Sequence, residues 1–379
     1  MVDKKSDKNI LEELIGGIRQ VSQHGNQEKL MEKVDNLRES EKSLNEKIGK
    51  DSARNAVGVD IGTCRVVSMK YGDGGQAETK DQLNAFLTMP NSPVAIEMLK
   101  KNNMKFINIE KDIAVLGYDA QVFANIFNSE VRRPMEQGLL KPDETSAIPV
   151  LKEIVRLIVD IPKMMGTNLC FSVPAPQIGF ESDLVFHESI LKKYFESLGF
   201  NTKSITEGTA VVLSELANDN YTGIGISMGA GMCNICFSFL SVPVIVFSLP
   251  QGGDNIDIAV ARVANATRNR VRVLKEEGLD LAKPPSNKIE SAFHIYYEDA
   301  LASLLNHLSA VFSQAENLPR INHAIPIVLA GGTCMPNGFK ALFEKLLKKT
   351  SLPVKVSEVK MASDVLKATA RGAFINASV

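Results

Sequence analysis

From residue 55 onward the chain alternates short β-branched runs ending in glycine with longer stretches of helical period, which confines it to layered α/β architectures. The strand-like runs are AVGVDIG, VVSMKYG, NLCFSVPA, YTGIGIS and PIVLAGG. Helical period appears in IPVLKEIVRLIV, HESILKKYFESLGF, LASLLNHLSAVFSQ and FKALFEKLLKK. Glycine-rich strand ends recur at residues 58–62, 225–231 and 331–332, and this wide spacing predicts two related halves. A length of 379 residues leaves room for them, since a domain takes roughly 100–200 residues.

Composition narrows the partners. Lys and Arg number 43 against 44 Asp and Glu, a net charge of −1 that gives no electrostatic case for nucleic acid. Five cysteines, an odd number, and a charged start (MVDKKSDKN) without an apolar signal core lead to the expectation of a reducing, cytoplasmic setting. The most apolar stretch, CFSFLSVPVIVFSL at 236–249, is shorter than a membrane span and contains Pro243, so it reads as two buried strands around a turn. No transmembrane segment is expected.

Residues 1–54 differ from the rest, being dense in charge of both signs with apolar residues at helical spacing. Leu11, Leu14, Ile15 and Ile18 share one face. Leu30, Val34, Leu37, Glu41, Leu44 and Ile48 follow a heptad seam with one charged defect. About three heptads are marginal for an independent coiled coil. The alternatives are a helix docking on its own body or on a protein partner, a self-associating coiled coil, and a mobile tail. The balanced charge argues against a membrane anchor.

Three loops carry the candidate chemistry. In AVGVDIGTCRVV an apolar strand holds one acid, Asp60, before a tight turn at Gly62, Thr63 and Cys64. Such an acid can hold a hydrated Mg²⁺ beside backbone N–H groups that receive phosphate, although a plain hairpin turn has the same pattern. TGIGISMGAGMCNICFSF repeats the design, with Gly229, Ala230, Gly231 and Met232 between two strands; strain relief alone would also use these glycines. In PIVLAGGTCMPNGFKALFEKLL a buried strand runs into Gly331, Gly332 and Thr333 and then a helix, the place where open α/β sheets bind nucleotides.

In this order and spacing the three segments resemble the phosphate-1, phosphate-2 and adenosine motifs of the actin, heat-shock chaperone and sugar kinase ATPase superfamily, over about residues 55–379. Within it the chain is similar to prokaryotic actins of the MreB and MamK kind. VRRPMEQGLL resembles their Arg-x-Pro segment, FSVPA their core strand, SITEGTAVVLSELAN their first connecting helix, LPQGGDNIDIAVARV their entry into a smaller subdomain, and SDVLKATARGAFINA their returning helix.

The resemblance implies an α/β, two-lobed actin-like ATPase fold of duplicated ribonuclease H-like βαβ cores with inserted subdomains, plus an N-terminal helical extension. The implied divisions are 1–54 for the extension and 55–82, 130–203 and 363–379 for the first core, with 83–129 as its insert. Residues 204–252 and 319–362 would form the second core, with 253–318 as its insert. ATP or ADP with Mg²⁺ would lie between the lobes. Asp60 would hold the metal through water, and Gly62, Thr63 and Cys64 would cradle phosphate from one side. Gly229, Ala230, Gly231 and Met232 would clasp it from the other. Gly253, Gly331, Gly332 and Thr333 would border the nucleotide, and Lys275 or Glu276 would reach the base or ribose. Counted from Val173-Pro174, Glu181 falls where these proteins place the acid that positions the attacking water, although a helix's first turn favours glutamate through its dipole alone.

Phosphate-2 departs from the family pattern. Ser227 stands where relatives carry an acid, Met232 and Cys233 replace hydroxyl residues, and Asn234 replaces the following acid. Nucleotide binding with weak or absent hydrolysis is therefore expected. Cys233 and Cys236 sit three apart on a strand, so their side chains should point to opposite faces and not share a zinc. The leading functional expectation is a filament-forming cytoskeletal protein under nucleotide control. The alternative is a non-filamentous scaffold recruiting partners through its N-terminal helix. A sugar kinase lacks an evident base, and a chaperone would need a substrate-binding domain after residue 379.

Overall fold

Two five-stranded sheets of matching strand order carry the fold, and the strand-like runs of the sequence supply their strands. The computed structural model describes residues 56–72, 76–127, 129–141, 143–177, 183–315, 318–319 and 321–379. All of these lie in one compact unit, 54–379. The extension expected over 1–54 lies outside the described residues.

The first sheet is built from β1 (Val57–Ile61), β2 (Arg65–Tyr71), β3 (Ala77–Leu83), β9 (Thr167–Val173) and β10 (Phe200–Thr206), in the order β3-β2-β1-β9-β10. The second uses β11 (Gly223–Met228), β12 (Cys233–Phe239), β13 (Val242–Leu249), β14 (Ile325–Ala330) and β15 (Val356–Met361), in the order β13-β12-β11-β14-β15. In each, an antiparallel three-stranded meander adds two parallel strands beside its first strand. The predicted pair of related halves is therefore present, and position 60 at the end of β1 corresponds to position 227 near the end of β11.

Between β3 and β9 lie a three-stranded sheet of β4 (Phe86–Pro90), β6 (Asp112–Leu116) and β5 (Phe106–Ile109), with α1 (Pro93–Lys101) and α2 (Gly117–Phe127). A two-stranded hairpin, β7 (Met135–Glu136) and β8 (Leu139–Leu140), and α3 (Ala147–Ile158) then return the chain to the first sheet. α4 (Asp183–Ser197) and α5 (Glu207–Glu215) flank β10. The second insertion is α6 (Gly253–Ala264), α7 (Arg268–Gly278) and α8 (Lys288–Gln314); α9 (Phe339–Leu347) and α10 (Ala368–Ser378) close the chain.

Helical period sets the buried faces. α3 buries Ala147, Val150, Leu151, Ile154, Val155 and Ile158, the three-and-four spacing of one helix face, against Val59, Phe171 and Phe195. α8 buries Phe293, Tyr297, Leu301, Leu304, Leu308 and Phe312 against Ile226, Phe237 and Ile327 of the second sheet. Large side chains of this kind each contribute about 1.5–3 kcal/mol on burial, so each lobe has a core of its own.

The opposite faces of the two sheets pack on α10 and α5, and here backbone meets backbone. Gly58, two residues before Asp60, lies so close to α10 that a Cβ would stand 2.2 Å from the Phe374 nitrogen. Gly225, two residues before Ser227, would place one 2.5 Å from the Gly208 carbonyl oxygen of α5.

The apolar stretch 236–249 forms the antiparallel pair β12 and β13, with the turn at Leu240 and Ser241. Pro243 lies inside β13 rather than at the turn. It is tolerated because β13 is the edge strand, where a missing N–H breaks no ladder. Cys233 joins the core on one face of β12 and Cys236 the core on the other, as the strand period requires. No helix among the described residues is long and apolar enough to cross a membrane.

Candidate nucleotide site

The three glycine loops meet at one place between the lobes. The Gly229 carbonyl accepts hydrogen bonds from the Gly253 N–H (3.0 Å) and the Thr333 hydroxyl (2.8 Å), and the Ala230 carbonyl accepts from the Asp254 N–H (2.8 Å). Loop 229–232, the start of α6 and loop 331–333 are thus tied together. Gly252 is required by this approach, since a Cβ there would lie 2.3 Å from the Ala230 oxygen. Gly331 takes φ +94°, where a side chain is strained.

From the first lobe, the turn after β1 is closed by Gly62 N–H to the Arg65 carbonyl (3.0 Å) and held by Asn84, whose side chain donates to the Gly62 carbonyl (2.9 Å). The buried Thr63 hydroxyl accepts from the Gly138 N–H in the β7–β8 hairpin (2.9 Å). A Cβ on Gly231 would stand 2.6 Å from that hydroxyl, so the turns at 62–64 and 229–232 are adjacent. Met232 is buried, its sulfur packed toward Gly138, in the space a hydroxyl residue would leave open.

Two carboxyl groups define the floor. Asp60 receives a hydrogen bond from the Ser172 hydroxyl (2.7 Å), which itself accepts from the Ile61 N–H (2.8 Å). Burial pushes Asp60 up to about 6, against the pull of Ser172. Glu207, the first residue of α5, is buried and accepts a hydrogen bond from Ser227 (2.9 Å). Burial and then the nearby Asp60 charge push it up to about 8, while Ser227 and the Asn234 amide pull the other way. Sequence reasoning missed Glu207. The available signal was a lone acid opening the small-residue run GTAVV directly after a strand. Ser227, matching Asp60 in the other half, supplies a donor to Glu207 in place of a third carboxylate.

In the second insertion, Lys275 Nζ lies 2.7–2.8 Å from both oxygens of the buried Asp257 and close to Gly253. Glu276 points away, with 62% of its side chain exposed near Arg272. The structure therefore brings together Asp60, Gly62, Thr63, Gly229, Ala230, Gly231, Met232, Gly253, Lys275, Gly331, Gly332 and Thr333. Glu181 lies outside the described residues. Cys64 borders the turn, half-buried, its sulfur 3.6 Å from the Arg133 guanidinium.

The other four cysteines are buried. A thiol-reactive dye should therefore modify one cysteine rapidly in the native protein and five after unfolding. Replacing Cys64 by Ser should abolish the rapid reaction; a second fast thiol would contradict this packing.

The junction thus combines a glycine-lined approach, paired carboxyl groups at the end of β1 and the start of α5, and cations beside both loops. Two matching lobes with this junction define an actin-like ATPase fold, which solved structures share. The MamK double helical filament has a TM-score of 0.62 at 16% identity, covering 86% of this chain and 98% of that one. MreB5 of Spiroplasma citri bound to ADP gives 0.58 at 16% identity, over 84% and 94%. The ethanolamine utilization protein EutJ from Carboxydothermus hydrogenoformans gives 0.51 at 14%, over 84% and 88%. The sequence profile of the volactin family matches residues 56–377, and the chain belongs to that family. No curated protein matches it.

Proposed function

We propose that this chain is a nucleotide-binding, actin-like cytoskeletal protein that assembles into filaments under control of bound ATP or ADP, with weak or lost hydrolysis. The observation that carries the reading is the meeting of the three glycine loops over the Asp60–Glu207 floor. The solved MamK is a double helical filament, and MreB5 was solved with ADP and with AMPPNP; the reading brings both properties to this chain.

Asp60 would hold Mg²⁺ through water, and the metal when bound supplies charge neutralisation for the phosphates. The N–H groups of 62–64 and 229–232 would receive phosphate oxygens, and Lys275 would face the nucleoside. Glu207, beside Asp60, would be a further acid, besides the Glu181 expected from the sequence, able to hold a water by accepting its proton in a hydrogen bond. Slow turnover follows from chemistry at two positions. Ser227 leaves one carboxylate fewer near the metal, and Met232 offers the phosphate no hydroxyl donor.

The test is sedimentation and negative-stain microscopy of the full chain with ATP, ADP or no nucleotide, with phosphate release measured on the same samples. ATP-dependent pelleting above a threshold concentration, with phosphate appearing far more slowly than polymer, is expected. Protein that binds ATP but stays soluble at every concentration would replace the filament reading with the scaffold one. Rapid phosphate release would remove the claim of weak hydrolysis.

A further inference from the structure

Arg133 is the cation at this junction that neither the glycine loops nor the paired carboxyl groups account for. It precedes Pro134 in VRRPMEQGLL, in a segment clamped to β4 by paired backbone bonds between Arg132 and Phe86 (2.8 Å each). From there its side chain crosses to the other lobe. One terminal nitrogen, Nη1, lies 2.9 and 2.7 Å from the two oxygens of Asp254, the second residue of α6. The other, Nη2, reaches only the Cys64 sulfur at 3.6 Å, a weak acceptor for a charged donor.

One partner belongs to, and the other is bonded to, a loop read above as phosphate-binding. Cys64 closes the phosphate-1 turn, and the Asp254 N–H is bonded to Ala230 of phosphate-2. Among the described residues the other cation bonded at this junction is Lys275, already within 2.8 Å of both Asp257 oxygens. Arg133 therefore carries the donor capacity left for an anion, and its present acceptor is a carboxylate with two oxygens in a plane, the geometry a phosphate also offers.

We propose that Arg133 recognises the terminal phosphates of the bound nucleotide, releasing Asp254 to take phosphate oxygens, so that phosphate occupancy is coupled to the contact between the lobes. This rests on the nucleotide reading above. Asp254 is then a resident stand-in for phosphate: while the carboxylate holds the guanidinium, the first-lobe segment is tied to α6, and a ligand with phosphates competes for that tie. A nucleoside without phosphates does not.

The test is the dissociation constants of ATP, ADP and adenosine, with Mg²⁺, by displacement of a fluorescent nucleotide from the full chain. The proteins compared are the unaltered chain, Arg133→Gln, Asp254→Asn and the double variant, which leaves neither charge unpaired. Melting temperatures without nucleotide identify any variant that fails to fold. Arg133→Gln and the double variant should weaken ATP and ADP about ten- to hundredfold, the range of charge-assisted hydrogen bonds, and adenosine less than about threefold. Asp254→Asn should tighten ATP, because a competitor is removed. Equal weakening of ATP and adenosine, or Asp254→Asn weakening ATP as much as Arg133→Gln, would overturn the proposal and make the pair a structural tie. If the unaltered protein binds adenosine and ATP equally, the proposal fails while nucleoside binding stands; if it binds neither, the nucleotide reading fails with it.

Discussion

Between pH 6.5 and 8, with divalent cations chelated, the protein is expected to lose about 1.5 kcal/mol of stability, and Glu207→Gln to abolish that loss. Glu207 is raised from 4.5 to about 8, first by burial and second by Asp60. The folded state thus keeps a proton that the unfolded chain releases. Stability from this group is full below 4.5 and is lost as pH climbs toward 8. Asp60, raised from 3.8 to about 6, acts with the same sign over a lower window. His187 opposes both. Its ring is fully buried with Nδ1 accepting the Leu140 N–H (3.2 Å), and burial depresses it from 6.5 to about 4, so its contribution is lost as pH falls through that window.

Above pH 6.5 Glu207 dominates with a slope approaching about 1.4 kcal/mol per pH unit, while the last of Asp60 adds about 0.2 kcal/mol and the unfolded chain's imidazole, half protonated at 6.5, opposes by about 0.4 kcal/mol. Urea unfolding at pH 6.5, 7.2 and 8.0 in EDTA measures it. A flat profile in the unaltered protein, or an unchanged slope in Glu207→Gln, would show that this carboxyl is not held neutral. Added Mg²⁺ should flatten the profile by favouring the ionised acids. The same substitution should reduce whatever phosphate release the protein has by about 100-fold or more, since the amide cannot take up a proton from water.

The second large effect concerns the crossing of α5 and α10. Gly372→Ala is expected to cost at least about 3 kcal/mol, because a Cβ at this position would stand 1.9 Å from the Ala210 carbonyl oxygen and neither helix can yield alone. α10 is already pressed on β1 at Gly58, and α5 on β11 and β12 through Gly225 and Gly208, so separating the helices disturbs both sheets. Gly278→Ala is the control. Nothing lies within 4 Å of a Cβ there, and at the end of α7 it should be neutral or stabilising by up to about 1 kcal/mol. Chemical denaturation of both variants decides the point. A Gly372→Ala protein within about 1 kcal/mol of the unaltered chain would mean that the crossing is loose.

Much of this was legible in the sequence because periodicity reports local geometry. The buried face of α3, the strand character of β1 and β11 and the opposed directions of Cys233 and Cys236 all follow from repeats of 3.6 and 2. The glycine loops were legible for a related reason: only glycine permits such close backbone approach, so its clustering marks where segments meet. Glu207 was not legible, since a glutamate opening a helix is favoured by the dipole whether it faces solvent or a buried acid.

Neighbouring charges were harder still. Arg132 and Arg133 are adjacent and chemically identical. Yet Arg132 lies exposed over the Phe86 ring and bonds Glu144, while Arg133 is half-buried between lobes on Asp254. Lys275 and Glu276 differ by one position on α7, about 100° around the helix, which turns one toward Asp257 and the other to solvent. By itself the sequence determined the α/β layering, the duplication and the three loops, because these depend on local pattern and on backbone sterics. Only the tertiary structure decided which charges face each other across the lobes. That choice is made by the packing of segments more than 100 residues apart, and burial then sets what each charge can do.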